Sequence, residues 1–356
     1  MTKPAIFLFA RGTFLSLLGI FILYESSTYF ALLSIGDKYY FFKNQLVWFA
    51  IGIAGCILAA KINYRNYYKF ALPLLIFSLF LLLLVFLPGI GLELKGAHRW
   101  INLGFMTVQP SEILKITLTV YLAAWLSEKE SGRLLAFLML IGASVILVLL
   151  EPDMGTAFII GGTATAVYFL SGAPLRDLIF IFLLILVAGV GLIRLEPYRV
   201  ERLLAFQNFN EKDIGSASYH VKQILVALGS GGITGLGFGN SIQKYAYLPE
   251  STTDSIFSIF AEEAGFIGAT LLVSLFIVLA FLGFMISAAA PDLFGKLLAA
   301  GLITFISIQA FVNMASQVVL IPLTGVPLPF ISYGGSSLVI NLVSIGILLN
   351  IASIKK

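Results

Sequence analysis

Apolar runs of about 18 or more residues recur along this chain, near 12–34, 45–62, 70–88, 110–127, 134–151, 155–172, 176–195, 254–287, 295–321 and 332–353. Runs of that length match the roughly 30 Å hydrocarbon core of a bilayer when they are helical. Inside that core backbone polar groups must be bonded within the protein, and long unbroken runs satisfy this as helices. The sequence therefore predicts an all-α polytopic membrane protein with about ten transmembrane helices. Only Glu151-Pro152-Asp153 separates the fifth run from the sixth, so nine is the alternative count, although a proline between two acids predicts a turn. Charged residues make up 11% of the 356, against roughly 25% in soluble domains, and no soluble domain stands out. The first run continues as a full-length span without a small-residue cleavage site, so it reads as part of the bundle. The single cysteine, Cys56, lies in an apolar run, which excludes internal disulfides and predicts a buried, inert thiol.

Lysine and arginine set the orientation. With an even number of spans both termini share a side, and that side collects Lys3, Arg11, Lys61, Arg65, Lys69, Lys129, Arg133, Arg176, Lys296, Lys355 and Lys356. The short connections opposite hold only Lys38, Lys43, Lys95 and Arg99. Eleven against four places both termini in the cytoplasm. Residues 88–109, Glu151 to Asp153, a long loop of about 196–253, and 322–331 are then extracytoplasmic. The long loop lies between spans seven and eight. Within it Tyr219 to Gly229 carries an apolar stripe at Val221, Ile224, Leu225 and Leu228, which predicts a short amphipathic helix on the membrane or the bundle. The run GSGGITGLGFGN follows. No strand precedes it and no Lys-Ser/Thr ends it, so it reads as a tight glycine turn against the bundle and not as a nucleotide loop.

This loop delivers the chain to LPESTTDSIFSIFAEEAGFIG, Leu248 to Gly268. Ser251, Thr252 and Thr253 are candidate N-caps and put Asp254 in the first helical turn, where the helix dipole favours a carboxylate. At about 100° per residue, Ser258, Ala261 and Gly265 fall on the face of Asp254, so something can approach that face closely. Further down, Glu262 is turned nearer the acid than Glu263; structural roles are expected for both, and for Glu25 in the first span.

Polar groups within spans are costly and need a reason. Glu112 and Lys115, at i and i+3 near the start of the fourth span, can pair, either as a self-satisfied structural unit or as part of a site. In KGAHRW, Trp100 suits an interfacial anchor, while the planar donor fork of Arg99 suits a phosphate or pyrophosphate. His98 and His220 are too few and wrongly flanked for a zinc site. PLTGVPLPFISYGGSS, Pro322 to Ser337, has three prolines within eight residues. It is either a rigid hairpin or a cavity-lining loop, with Ser332, Gly334 and Gly335 offering N–H groups to an anion. Arg99, Glu112, Lys115, Asp153, Lys244, Glu250, Asp254 and this loop all fall at or just below the outer face. A secondary transporter more typically places its charges near the midplane within repeated, broken helices. An outward cavity with one free-standing carboxylate and several cations fits transfer chemistry on an anionic lipid better.

LKGAHRWINLG, QPSEILK, EPDMGT, LGSGGITGLGFGNSIQKYAYLPESTTDSIF, AEEAGFIG and PLTGVPLPFISYGGSS, in this order and between these spans, resemble the SEDS proteins of bacterial wall synthesis (shape, elongation, division and sporulation). The match covers nearly the whole chain as one transmembrane domain, 1–356, and GFGNSIQKYAYLPE resembles the FtsW-type division branch and the sporulation branch more than the RodA branch. The resemblance implies a peptidoglycan glycosyltransferase of the bacterial plasma membrane that polymerises lipid II and releases undecaprenyl pyrophosphate. It implies a single-pass class B penicillin-binding protein as partner, within the divisome or elongasome. The family's essential acid matches Asp254; Ser255 replaces the large apolar residue common after it. Arg99, Glu112, Lys115 and Ser332 match positions lining the family's outer cavity. Lys244 joins Arg99 and Lys115 as a candidate cation for the leaving pyrophosphate, and Glu250 flanks the acid. No organic cofactor and no protein-built metal site are expected, but pyrophosphate can itself carry a divalent cation, Mg2+ or Mn2+. The rival readings are a RodA-type elongation polymerase, a lipid II flippase and a non-catalytic scaffold.

Overall fold

The structure is a computed structural model that describes residues 3–94, 97–104, 106–128, 132–195, 197–207, 215–245 and 247–354. Of the cations that set the orientation, Lys95, Lys129, Lys355 and Lys356 lie outside the described residues. Among the described residues, seven helices are long and apolar enough to span a bilayer. They are α1 (Lys3–Ser34), α2 (Tyr40–Lys61), α3 (Arg65–Leu84), α7 (Leu175–Leu195), α10 (Ile256–Ala289), α11 (Leu293–Gln317) and α12 (Gly335–Ser353). Three helices of 17 residues each, α4 (Pro110–Leu126), α5 (Leu134–Leu150) and α6 (Met154–Leu170), occupy the remaining predicted spans. The bundle is thus helical at all ten expected places, and the chain is a polytopic membrane protein. Asp153 turns the chain between α5 and α6: its carboxylate caps the N–H and hydroxyl of Thr156 at 3.0 and 2.8 Å.

Two features of the outer connections exceed the expectation. Residues 88–109 are not all loop: β1 (Gly91–Leu94), β2 (Ala97–Asn102) and β3 (Thr107–Val108) form a small antiparallel sheet in the order β1-β2-β3. The alternating burial of Ala97 and Ile101 against exposed His98 and Asn102 is the period-two signal, too short to read beside the spans. The long loop also carries two helices, α8 (Pro197–Gln207) and α9 (Gly215–Gly231), where one was expected.

Among the seven long helices α11 and α12 are the most buried, and α7 is the least, facing outward along nearly its whole length. In lipid, helices gain little from burying apolar surface against each other, so close approach through small residues carries the packing. The α2–α12 contact shows this: a side chain at Gly346 would collide with the backbone of Cys56, which is itself fully buried. On the cytoplasmic side Asp292 caps α11 through the Gly295 N–H at 2.7 Å and accepts from the Tyr64 hydroxyl at 2.6 Å. Asn350 of α12 accepts from the Tyr64 N–H at 2.8 Å, so one buried tyrosine ties the α2–α3 and α10–α11 connections to α12.

The glycine run makes the largest departure from regular structure. α10 is kinked at Gly265, whose φ of 68° is left-handed. The carbonyls and N–H groups freed there are taken by the run after α9. Leu236 and Gly237 donate to the carbonyls of Glu262 and Glu263, both at 3.0 Å. Phe266 and Ile267 donate to Gly232 and Ile233 at 2.9 and 3.1 Å. Side chains at Gly231, Gly235 or Gly265 would collide with that backbone. The small-residue face of α10 is therefore approached closely, by the chain's own glycines.

Candidate active site

The site is built where the loop enters α10. Glu250 has a left-handed backbone, φ 52°, and its carbonyl accepts from the N–H groups of Thr253 and Ser255 at 3.1 and 3.0 Å. That turn delays the helix, which starts at Ile256 with Ser255 at the N-cap position. Asp254 consequently stands in the turn just ahead of α10, not inside its first turn as the sequence implied. It still stands at the N-terminal end of α10, where the helix dipole favours a carboxylate.

Three successive carbonyls hold this turn in place. Thr252 accepts from the Tyr333 N–H at 3.0 Å, Thr253 accepts from the Ser332 hydroxyl, and Asp254 accepts from Asn313 Nδ2 at 2.9 Å. Ser332 in turn accepts from the Leu328 N–H at 2.8 Å, and Asn313 also donates to the Val326 carbonyl at 2.7 Å. The loop 322–331 is thus stitched to the acid's own backbone. Gly325, at φ 73°, lies against the acid: a Cβ there would stand 3.5 Å from Asp254 Oδ2, and 3.7 and 3.9 Å from the terminal nitrogens of Arg202. On the loop's other side, a Cβ at Gly155 would meet the Thr324 carbonyl at 3.0 Å, so the start of α6 packs against it.

The sequence-predicted residues divide into groups. Asp254, Glu250 and Ser332 come together at the mouth of α10. Glu250 Oε2 accepts from the Thr253 hydroxyl at 2.9 Å. Glu112 and Lys115 form a buried pair at 2.8 Å on α4, and Lys115 also donates to Gln309 Oε1 at 2.6 Å. Gln309 passes the connection on, donating to the Pro327 carbonyl at 3.0 Å. The pair therefore supports the loop from below. Arg99 is fastened to the α5–α6 turn, donating through Nε to the Glu151 carbonyl at 2.8 Å and through Nη2 to the Pro152 carbonyl. Lys244 is buried in a third place, 3.0 Å from Glu263 and 3.7 Å from Glu25. Glu262 accepts from the hydroxyls of Ser230 and Ser241 and from backbone N–H groups beside them. Both glutamates have the structural role expected of them, and Lys244 shares it.

Ser255 also has a specific partner. Its hydroxyl is fully buried and lies 2.7 Å from His220 Nε2 of α9. Burial lowers the His220 pKa to about 4, opposed by Glu250 and assisted by Arg202, so the imidazole is neutral near pH 7. The polar residue that replaces a large apolar one here is satisfied by a histidine from the outer helix. Below the acid, Phe257, Ala261, Gly265, Ala269 and Val273 of α10, with Leu228 and Gly232, line an apolar cavity of about 400 Å³.

Sequence reasoning missed Gln309, Asn313, Gly325 and Arg202. The first two had a signal: Gln309, Asn313 and Gln317 recur at i, i+4 and i+8 within the ninth span, where unpaired amides would be costly. All three are used, Gln317 accepting from the Ser258 hydroxyl at 2.7 Å. Arg202 had none beyond its charge. Among the described residues no group of three or more His, Cys, Asp or Glu side chains could hold a metal ion.

Fold and site define a polytopic membrane protein with a carboxylate set at the mouth of one of its spans, above an apolar cavity. A family model described as Cell cycle protein, covering FtsW, RodA and SpoVE, matches residues 6–356, and the chain belongs to that family. Among its relatives, Stage V sporulation protein E of Bacillus subtilis is 37% identical over 99% of this chain and 97% of its own. A probable peptidoglycan glycosyltransferase FtsW of Geobacter metallireducens is 38% identical over 95% of this chain and 92% of its own. Two solved structures are each 28% identical and cover 99% of this chain. One, from work on coordinated polymerisation and crosslinking by a peptidoglycan synthase complex, has a TM-score of 0.81 over 97% of its chain. The other, the rod shape determining protein RodA of Thermus thermophilus, has a TM-score of 0.71 over 96% of its chain. The expected family is confirmed, and with it a multi-pass bacterial membrane protein.

Proposed function

We propose that this chain is a peptidoglycan glycosyltransferase of the FtsW type that polymerises lipid II at the outer face of the plasma membrane during division. The observation that carries the reading is the setting of Asp254: one carboxylate at the outer mouth of a membrane helix, its backbone pinned by Ser332 and Asn313, above an apolar cavity of about 400 Å³. A lipid-linked sugar needs both parts, a polar place for the reacting groups and an apolar place for the tail.

Asp254 acts as general base. It takes the proton from the GlcNAc 4-hydroxyl of one lipid II as that oxygen bonds to the MurNAc anomeric carbon of another. The bond from that carbon to the pyrophosphate breaks, undecaprenyl pyrophosphate leaves with the electron pair, and the anomeric centre inverts. The leaving group departs as an anion without protonation, so cations and N–H donors near it matter more than an acid. Arg99 is the proposed cation for this at the outer surface: two backbone carbonyls engage part of its fork, which carries five donors in all. Lys115 and Glu112 act from beneath through Gln309, holding the loop 322–331 against the acid. A divalent cation, if one takes part, arrives on the substrate pyrophosphate. A class B penicillin-binding protein is the proposed partner, as crosslinking must follow polymerisation.

The test is polymerisation of labelled lipid II by the purified chain, alone and with its cognate penicillin-binding protein, comparing wild type with Asp254→Asn. Glycan strands from the wild type and none from the variant are expected. Strands from both would remove Asp254 as base, and lipid II transport without polymerisation would replace the reading by a flippase.

A further inference from the structure

The three cations that the sequence offered are committed to carbonyls or carboxylates of the chain itself. Arg202 was not among them, yet it is a basic side chain that the structure brings to the acid. It comes from α8, and its Nη1 donates to the Leu323 carbonyl at 3.0 Å, which fastens α8 to the loop 322–331 two residues before Gly325. Asp254 Oδ2 and both terminal nitrogens of Arg202 each lie within 4 Å of the point where a Cβ of Gly325 would stand. A larger residue at Gly325 would occupy that point, and its left-handed φ independently favours glycine.

From this juxtaposition, which rests on the reading of Asp254 as base, we infer that Arg202 is a positioning residue for the reaction: across Gly325 it aims the Asp254 carboxylate and balances its charge while the acceptor hydroxyl binds. The other titratable groups around the acid are Glu250 in its own turn and His220 on α9, while the loop 322–331 has none and α11 presents Asn313. A guanidinium suits the task because its planar fork can hold the Leu323 carbonyl with one donor and face a carboxylate with others. When the base takes its proton, the pair loses its attraction, and the carboxyl is released from the orientation in which it accepted that proton.

The experiment measures kcat, KM and the pH profile of lipid II polymerisation for Arg202→Gln and Arg202→Lys in the full chain with its penicillin-binding partner. In Arg202→Gln, kcat is expected to fall about ten- to a hundredfold with KM little changed. The acid limb of the profile should move up by about one pH unit or more as the carboxylate loses its cation. Arg202→Lys should recover part of both. If Arg202→Gln does not fold, Arg202→Lys carries the test through the same limb. A raised KM with kcat preserved would overturn the inference in favour of a substrate-phosphate contact. A lowered rate with an unmoved limb and no recovery by lysine would reduce Arg202 to a tie for Leu323. A wild-type rate in Arg202→Gln with an inactive Asp254→Asn would sink the inference alone, whereas an active Asp254→Asn would sink the base reading beneath it.

Discussion

Lys244 and Asp254 stand on either side of the loop's last turn, yet their charges are handled in opposite ways. Lys244 is buried between Glu263 and Glu25, and the neighbouring Glu262 is filled by serine hydroxyls and backbone N–H groups. The cluster closes on itself and clamps the glycine run to the kink of α10. Asp254 is held by its backbone carbonyl, while its carboxylate faces a glycine. Where ionic side chains satisfy one another the fold uses them to fix a broken helix. Where a fixed turn sets a carboxylate beside a glycine at a helix mouth, with a guanidinium close by, the carboxylate is kept for something that arrives.

The sharpest way to break this comparison is to exchange the consequences. Asp254→Asn should lower the polymerisation rate about 10²- to 10⁴-fold with the apparent Tm in detergent little changed, because asparagine keeps the side chain's shape and the backbone carbonyl still accepts from Asn313. Lys244→Met should do the reverse. It strands two glutamates against α10, at a cost of about 3–5 kcal/mol, while the folded fraction polymerises at the wild-type rate per molecule. A well-folded but inactive Lys244→Met would make Lys244 a substrate cation and dissolve the distinction.

A smaller effect sharpens it. Gly325→Ala places a methyl group at ordinary contact distance from the acid, so strain and not collision dominates: a left-handed alanine costs about 1–2 kcal/mol. The loop should respond by shifting, with about a tenfold loss of rate if the carboxylate must be placed to within an ångström. Unchanged activity at reduced stability would show that the loop only braces the bundle. Steady-state rates beside thermal melts separate the two.

The legible parts of this molecule are those with a period or a cost. Ten apolar runs gave ten helices because bilayer thickness fixes their length, and Asp254, Lys115 and the proline-rich loop stood out because polar groups and broken backbone need a reason at membrane depth. The start of α10 was misplaced because the carbonyl of Glu250 closes a turn over the serine-threonine run, and capping preferences cannot register that competition. Long-range pairings were the least legible. That Lys244 meets Glu263, or that Arg202 reaches Gly325, depends on how the outer helices dock, and no local pattern encodes it.

Glu151 offers a third way of handling charge, and the mildest test. It is fully buried in the α5–α6 turn, and neither carboxyl oxygen has a hydrogen-bond partner among the described residues. Burial raises its pKa to about 9, Asp153 adds to the rise, and Arg99 opposes it, so the folded protein holds this carboxyl neutral. In the unfolded chain it ionises near its ordinary value of 4.5. Between those two values folding takes up a proton. The folded state is therefore favoured fully below about pH 4.5 and loses that advantage as pH rises toward 9. Glu151→Gln keeps the shape and removes the titration, while its extra N–H donors cost about 1 kcal/mol if they too lack partners. Melts from pH 5 to pH 8.5 should show the variant slightly less stable at the acid end and gaining steadily on the wild type toward the alkaline end. Parallel curves would mean that Arg99 holds Glu151 ionised after all, which would make the turn a paired cluster like that of Lys244.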